Sequence, residues 1–111
     1  MTVETRDHEG IKIVRPFGEL RGEDTMLVKC VTDLLTSPGN RVVLDLGDVP
    51  FMNSAGLGTL VRIVAQANTQ ECRVVLANLS PFIAGAMNTT QLDRFFEIYA
   101  TTEDATRKLS K

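Results

Sequence analysis

The segment 41–46 constrains the fold more than any other part of the chain. It contains the continuous apolar run Val42-Val43-Leu44. A short run of this kind is typical of a strand that is covered on both faces. A second short Val/Leu segment lies at 73–77. Strands of this kind occur in sheets with helices on each side, so the sequence predicts an α/β fold.

Apolar periodicity and the positions of glycine and proline predict the remaining elements. Strands are expected over residues 11–17 and 95–99, and the polar, acidic segment 1–10 is assigned no strand. Helices are expected over 23–35, from just after Ser54 to 68, over 81–88 with Ser80 as N-cap, and over 102–109. The alternating order predicts later strands that are parallel and joined by right-handed crossovers.

Length and composition limit the classes of protein to which the chain can belong. The 111 residues fit one domain, and 43% hydrophobic residues exclude a disordered chain. With 12 basic and 14 acidic side chains, the chain lacks the basic surplus of a nucleic-acid-binding domain. Its apolar runs are shorter than the roughly 18 residues of a membrane helix, so no membrane insertion is expected. The N-terminus lacks a secretion signal, which indicates a cytoplasmic protein.

The cysteines and the single histidine do not form a recognisable site. Cys30 and Cys72 lie on apolar segments, where a buried free thiol is the expected state in a cytoplasmic protein. His8, the single histidine, lies in the polar N-terminal segment. A zinc site usually needs two or three histidines or a Cys/His cluster, which this chain does not offer. The sequence therefore predicts neither a metal site nor a cofactor.

The loop 47–58 follows the central strand, at the edge where α/β proteins bind ligands and partners. It does not match three enzyme motifs. Val61 stands where a dinucleotide fingerprint needs its third glycine, and Met52 stands where a nucleophile elbow needs its first. The Gly-Lys-Ser/Thr end of a phosphate-binding loop is also missing. We therefore expect no enzyme activity from this loop.

Ser54 has two interpretations from the residues alone. A serine directly ahead of a helix can act as its N-cap, in which case Ser54→Ala would cost about 0.5–2 kcal/mol. Alternatively, Ser54 could carry a phosphoryl group, whose roughly −1.5 to −2 charge is stabilised by a helix N-terminus. The dianion would then add a localised negative charge to a nearly neutral surface. Met52 is expected at that surface, and Gly56 and Gly58 either let a partner approach closely or fit a tight turn.

Several segments together resemble the STAS domains, in particular the bacterial anti-sigma factor antagonists. Leu44-Asp45-Leu46, then Val49, and the residues 51–58, which read FMNSAGLG, resemble the family's core motif, commonly D-S-S/T-G-L-G at its end. The residues 17–20, FGEL, resemble its L-x-G-E-L. Residues 79–81 and 91–99 resemble its third helix and final strand. The resemblance covers nearly the whole chain and implies a single STAS domain over 1–111, with a mixed four- to five-stranded sheet and about four helices.

The resemblance also implies a binding protein that is switched by phosphorylation and has no catalytic residue. Ser54 aligns with the serine that an anti-sigma factor kinase, a histidine-kinase-like ATPase, phosphorylates. The unphosphorylated form binds that anti-sigma factor and releases the sigma factor, and a serine phosphatase resets the cycle. The implied partner-binding residues are Glu19, Arg21, Met52, Asn53, Ala55, Gly56, Leu57 and Gly58.

The chain departs from the family pattern at two of these positions. Asn53 stands where the family has an acidic residue, and Arg21 stands where the family often has Asp. The departures indicate a paralogue matched to a different kinase or a member that binds without being phosphorylated.

The alternative functions are a constitutive scaffold on an ATPase, for example of a lipid transporter, and a small-molecule sensor. Phe82 and Ile83 either extend the apolar surface or pack on the sheet.

Overall fold

The elements alternate along the chain after an initial pair of strands. The computed structural model describes residues 2–110. In chain order the elements are β1 (Thr2–His8), β2 (Ile11–Phe17), α1 (Thr25–Leu34), β3 (Arg41–Asp45), α2 (Ser54–Thr69), β4 (Arg73–Ala77), α3 (Pro81–Thr90), a 3₁₀ turn (Leu92–Arg94), β5 (Ile98–Tyr99) and α4 (Thr102–Leu109).

The strands form one mixed sheet in the order β1-β2-β3-β4-β5. β1 pairs antiparallel with β2, and the strands from β2 to β5 are parallel. The predicted α/β fold with a four- to five-stranded mixed sheet and four helices is confirmed. Parallel pairing places the loops after β2 and β3 side by side at one edge of the sheet.

β1 (Thr2–His8) lies in a polar, acidic segment for which no strand is predicted from the sequence. β1 is an edge strand, and all its residues except the half-buried Val3 are exposed. It therefore has no alternation of apolar and polar residues from which a strand could be inferred. The strand is defined by its hydrogen-bonded pairing with β2, which runs from Thr2 opposite Phe17 to His8 opposite Ile11. Its own sequence does not predict this pairing.

The helices cover both faces of the sheet, which explains the apolar run in β3. Val42 and Leu44 belong to the larger core beneath α1, α2 and α3. Val43 points to the opposite face and joins the smaller core beneath α4. Each of the three side chains is fully buried. No helix within residues 2–110 is long and apolar enough to cross a membrane.

The last strand is shorter than predicted, because β5 contains only Ile98 and Tyr99. Phe95 follows the 3₁₀ turn and is 46% exposed, whereas Phe96 is buried in the larger core. The predicted α3 start is confirmed, since Ser80 caps a helix that begins at Pro81. Both cysteines are free thiols, with Cys72 buried and Cys30 half-buried.

Candidate functional site

The loops that follow β2 and β3 are joined by backbone hydrogen bonds at the carboxyl edge of the sheet. The Leu20 amide donates to the Phe51 carbonyl at 3.0 Å, and the Asn53 amide donates to the Leu20 carbonyl at 3.1 Å. Leu20 and Met52 form an isolated parallel bridge. This short extension of the sheet ends at Asn53, directly before α2, so the start of α2 and the loop after β2 lie side by side.

Asn53, and not Ser54, is the N-cap of α2. Its Oδ1 accepts a hydrogen bond from the Gly56 amide at 2.8 Å, and its Nδ2 donates to the Arg21 carbonyl at 3.3 Å. The interpretation of Ser54 as the cap is therefore wrong. Asparagine and serine are both good N-caps, so the sequence cannot decide between adjacent candidates. Asn53 has the extended backbone conformation of a cap, and Ser54 is the first helical residue.

Ser54 is exposed, and its hydroxyl makes no hydrogen bond within residues 2–110. The first amides of a helix have no carbonyl partner within the helix, and the Asn53 side chain satisfies only that of Gly56. Within residues 2–110 the amides of Ser54 and Ala55 therefore have no acceptor and are available to an anion. A phosphoryl group on the Ser54 oxygen would meet the positive end of the α2 dipole without replacing an existing bond.

Gly56 and Met52 are buried and are therefore not accessible to a partner. A Cβ atom at Gly56 would overlap the Leu20 carbonyl oxygen, so the glycine allows α2 to pack against the loop after β2. Met52 is only 5% exposed and belongs to the larger core. The expectation that Met52 lies at a contact surface is wrong, because its bridge with Leu20 places its side chain inward. Gly58 has open space around its Cβ position.

The other implied partner-binding residues remain at the surface. Among them, Glu19, Arg21 and Ala55 are exposed, while Asn53, Leu57 and Gly58 are half-buried. Their position around Ser54 is compatible with a binding surface, and their contribution to binding remains a prediction.

An aromatic and charged group joins the loop after β2 to the loop that precedes α2. The Arg21 guanidinium lies 5.0 Å above the centre of the Phe51 ring, and that ring lies 5.0 Å from the Phe82 ring. Phe82 is 46% exposed and extends the surface, whereas its neighbour Ile83 is fully buried in the core. Arg21 Nε also donates to Glu19 Oε1 at 2.7 Å, and this carboxylate raises the pKa of the Arg21 guanidinium.

Asp24, which the residue pattern does not single out, is a buried carboxylate that connects the loop after β2 to α2. Asp24 is 5% exposed and accepts hydrogen bonds from the amides of Arg21 and Gly22, at 3.4 and 3.0 Å. It also accepts the Thr59 hydroxyl at 3.2 Å. Thr59 on the apolar side of α2 could have indicated such a residue, because a buried hydroxyl needs a polar partner. Asp24 thus holds the loop beside the first turns of α2.

The STAS domain family matches residues 2–105 of this chain. The chain belongs to the STAS domain family. Among curated proteins, the anti-sigma F factor antagonist of Paenibacillus polymyxa is 24% identical over 111 residues, which cover 98% of this chain and 95% of that protein.

Three solved structures have the same fold. TM1081 of Thermotoga maritima superposes with a TM-score of 0.87 at 25% identity, covering 98% of this chain and 95% of that one. The anti-sigma factor antagonist from Mycobacterium paratuberculosis gives a TM-score of 0.80 at 25% identity, with 99% and 94% covered. The phosphorylated form of the Bacillus cell fate determinant SpoIIAA gives a TM-score of 0.68 at 18% identity, with 97% and 99% covered. This STAS domain therefore shares its fold with these structures over nearly the whole of each chain.

Proposed function

We propose that this STAS domain is an anti-sigma factor antagonist whose binding is controlled at Ser54. In its unphosphorylated form the surface around Ser54 binds an anti-sigma factor, and the sigma factor held by that protein is released. The observation that carries the proposal is the position of Ser54, an exposed first residue of α2 whose hydroxyl takes no part in capping. The name of the Paenibacillus polymyxa relative, which matches over nearly its whole length, supports the same role.

The proposed partner is an anti-sigma factor that is also a serine kinase of the histidine-kinase-like ATPase type. The kinase transfers the γ-phosphoryl group of ATP to the Ser54 oxygen, which loses its proton, and ADP is released. A serine phosphatase hydrolyses the phosphoserine and restores the hydroxyl. In this cycle the STAS domain is a ligand and a substrate and supplies no catalytic group.

Phosphorylation would act on the surface and leave the fold intact. The added group carries a charge of about −1.5 to −2 at neutral pH. The Ser54 and Ala55 amides and the α2 dipole stabilise that charge, so the helix start is kept. A partner that closes over Ser54 would have to desolvate the dianion, and binding would weaken. The structure of phosphorylated SpoIIAA supports the compatibility of this fold with a phosphoryl group.

Intact-mass measurement tests the proposal directly. The purified chain is incubated with ATP, magnesium and each candidate kinase, alongside Ser54→Ala and the matched control Ser37→Ala, which removes another exposed serine. We expect one added phosphate in the wild type and in Ser37→Ala, and none in Ser54→Ala. Calorimetry should show a 1:1 complex with the kinase that is lost in Ser54→Glu.

The constitutive scaffold remains the second candidate, because the Asn53 cap forms the start of α2 without the family's acidic residue. Tight binding to an ATPase that persists in Ser54→Glu, with no phosphate added by any kinase, would replace the proposed switch with this second function.

A further inference from the structure

The backbone of Arg21 lies beside the residue that precedes Ser54. The Leu20 carbonyl accepts the Asn53 amide at 3.1 Å, and the Arg21 carbonyl accepts the Asn53 side-chain amide at 3.3 Å. The loop after β2 therefore runs alongside the start of α2. A fixed Arg21 backbone at this position leaves Ser54 within the reach of its long side chain.

The residue after Arg21 contacts the residue after Ser54 and keeps this separation short. A Cβ atom at Gly22 would lie only 2.5 Å from the Ala55 Cβ, so a side chain at this position would collide with Ala55. Gly22 has φ +99°, in the region that favours glycine, and its amide is held by Asp24 at 3.0 Å. Arg21 is thus flanked by contacts to both neighbours of Ser54.

The present partners of the Arg21 guanidinium can be exchanged. Its pair with Glu19 is exposed, with 59% of the Arg21 side chain and 46% of the Glu19 side chain accessible. Exposed pairs of this kind are weak and involve little loss of solvation. A phosphoryl dianion carries more charge than a carboxylate and accepts the two parallel hydrogen bonds that a guanidinium donates.

We propose that Arg21 is the residue that responds when Ser54 is phosphorylated, its guanidinium leaving Glu19 and pairing with the phosphoryl group. The inference rests on the proposed phosphorylation of Ser54. The exchange changes the surface at two places, because the Glu19 carboxylate loses its counter-charge and the Phe51 ring loses the guanidinium above it. A partner would then meet the unpaired negative charge of Glu19 as well as the phosphoserine.

The experiment installs phosphoserine at position 54 during translation, so that no kinase is needed. A ³¹P NMR titration at low ionic strength then measures the pKa of the phosphoserine in the otherwise wild-type chain and in Arg21→Gln. A guanidinium paired with the phosphoryl group favours the dianion. We expect the pKa to be lower with Arg21 than with Gln by about 0.2–0.7, the effect of an exposed ion pair.

Arg15 provides a matched control. Its guanidinium pairs with Asp48 at 2.5 Å and lies 5.1 Å above the Phe17 ring, so its surroundings resemble those of Arg21. It follows Val14, which faces the larger core, and therefore lies on the opposite face of the sheet from α2. Arg15→Gln removes the same net charge and is expected to leave the pKa of the phosphoserine unchanged.

A second measurement reports on Arg21 itself. Its Nε–H cross-peak in a ¹H–¹⁵N spectrum should move on phosphorylation, while that of Arg15 should not. Equal pKa values in the wild type and Arg21→Gln, or equal changes from Arg21→Gln and Arg15→Gln, would overturn the inference. Failure of the proposed function is a separate result, because it would appear as the absence of phosphate transfer from any kinase to Ser54.

Discussion

Helices α2 and α3 begin alike in sequence, with a serine at the helix start after a parallel strand, but the two serines have different surroundings. Ser80 stands one residue before α3 and is 7% exposed. Its hydroxyl donates to the Val49 carbonyl at 2.6 Å and accepts the Ile83 amide at 3.5 Å. Ser54, by contrast, is the first residue of α2 and is exposed, and Asn53 is the N-cap of that helix.

The difference shows how a shift of one residue decides what a serine hydroxyl does. As the N-cap, Ser80 points toward the amides of α3 and supports the fold. As the first helical residue, Ser54 is exposed and takes no part in capping α2. Asn53 makes this possible, because its side chain caps α2 and also binds the Arg21 carbonyl. Variants at the two helix starts should therefore separate stability from function.

Gly56→Ala is expected to have the largest effect on stability. The added methyl group would overlap the Leu20 carbonyl oxygen, which is backbone and cannot move away cheaply. Overpacking of this kind typically costs about 1–3 kcal/mol and occasionally more. Chemical denaturation should show the loss, and Gly58→Ala is the control. Nothing lies within 4 Å of the Gly58 Cβ position, so alanine there should stabilise α2 by about 0.5–1 kcal/mol. Equal stability of the two variants would contradict the tight contact at Gly56.

Ser80→Ala should destabilise the chain by about 1–3 kcal/mol, because it leaves buried polar groups unpaired. The Val49 carbonyl loses the hydrogen bond that it accepts from the Ser80 hydroxyl, and the Ile83 amide loses the oxygen to which it donates. Urea unfolding monitored by circular dichroism measures the loss. Phosphorylation of Ser54 by the proposed kinase should continue in the folded variant. A Ser80→Ala variant as stable as the wild type would contradict a structural role for this hydroxyl.

Asn53→Ala should cost about 0.5–2 kcal/mol through the lost cap. Asn53→Asp tests the same position with the family's acidic residue. Aspartate can still cap Gly56 and adds a charge that favours the helix N-terminus, so this variant should keep most of the stability. The comparison uses thermal unfolding of the three chains. A loss in Asn53→Asp as large as that in Asn53→Ala would show that the bond from Asn53 Nδ2 to Arg21 matters more than the cap.

The sequence predicted those parts of the molecule in which burial imposes a pattern on the residues. The run in β3 and the periodicity of α2 lie against the cores, and the predicted elements there agree with the structure to within about two residues. β1 was missed because an exposed edge strand carries no such pattern. At the site, sequence reasoning placed Ser54 at the start of α2 but did not predict the inward position of Met52. That position depends on a bridge to Leu20, which is distant along the chain.

Ser54→Ala should have the smallest effect on stability, within about 0.5 kcal/mol of the wild type, as for exposed positions without a special role. The larger loss of about 0.5–2 kcal/mol expected of a capping serine does not apply, because Asn53 is the cap. Denaturant unfolding of Ser54→Ala and Ser80→Ala under the same conditions measures the contrast between the two helix starts. If Ser54→Ala lost as much stability as Ser80→Ala, the Ser54 hydroxyl would have a structural partner, and its availability for phosphoryl transfer would have to be reconsidered. An unchanged stability together with lost phosphate transfer would assign the Ser54 hydroxyl to function alone.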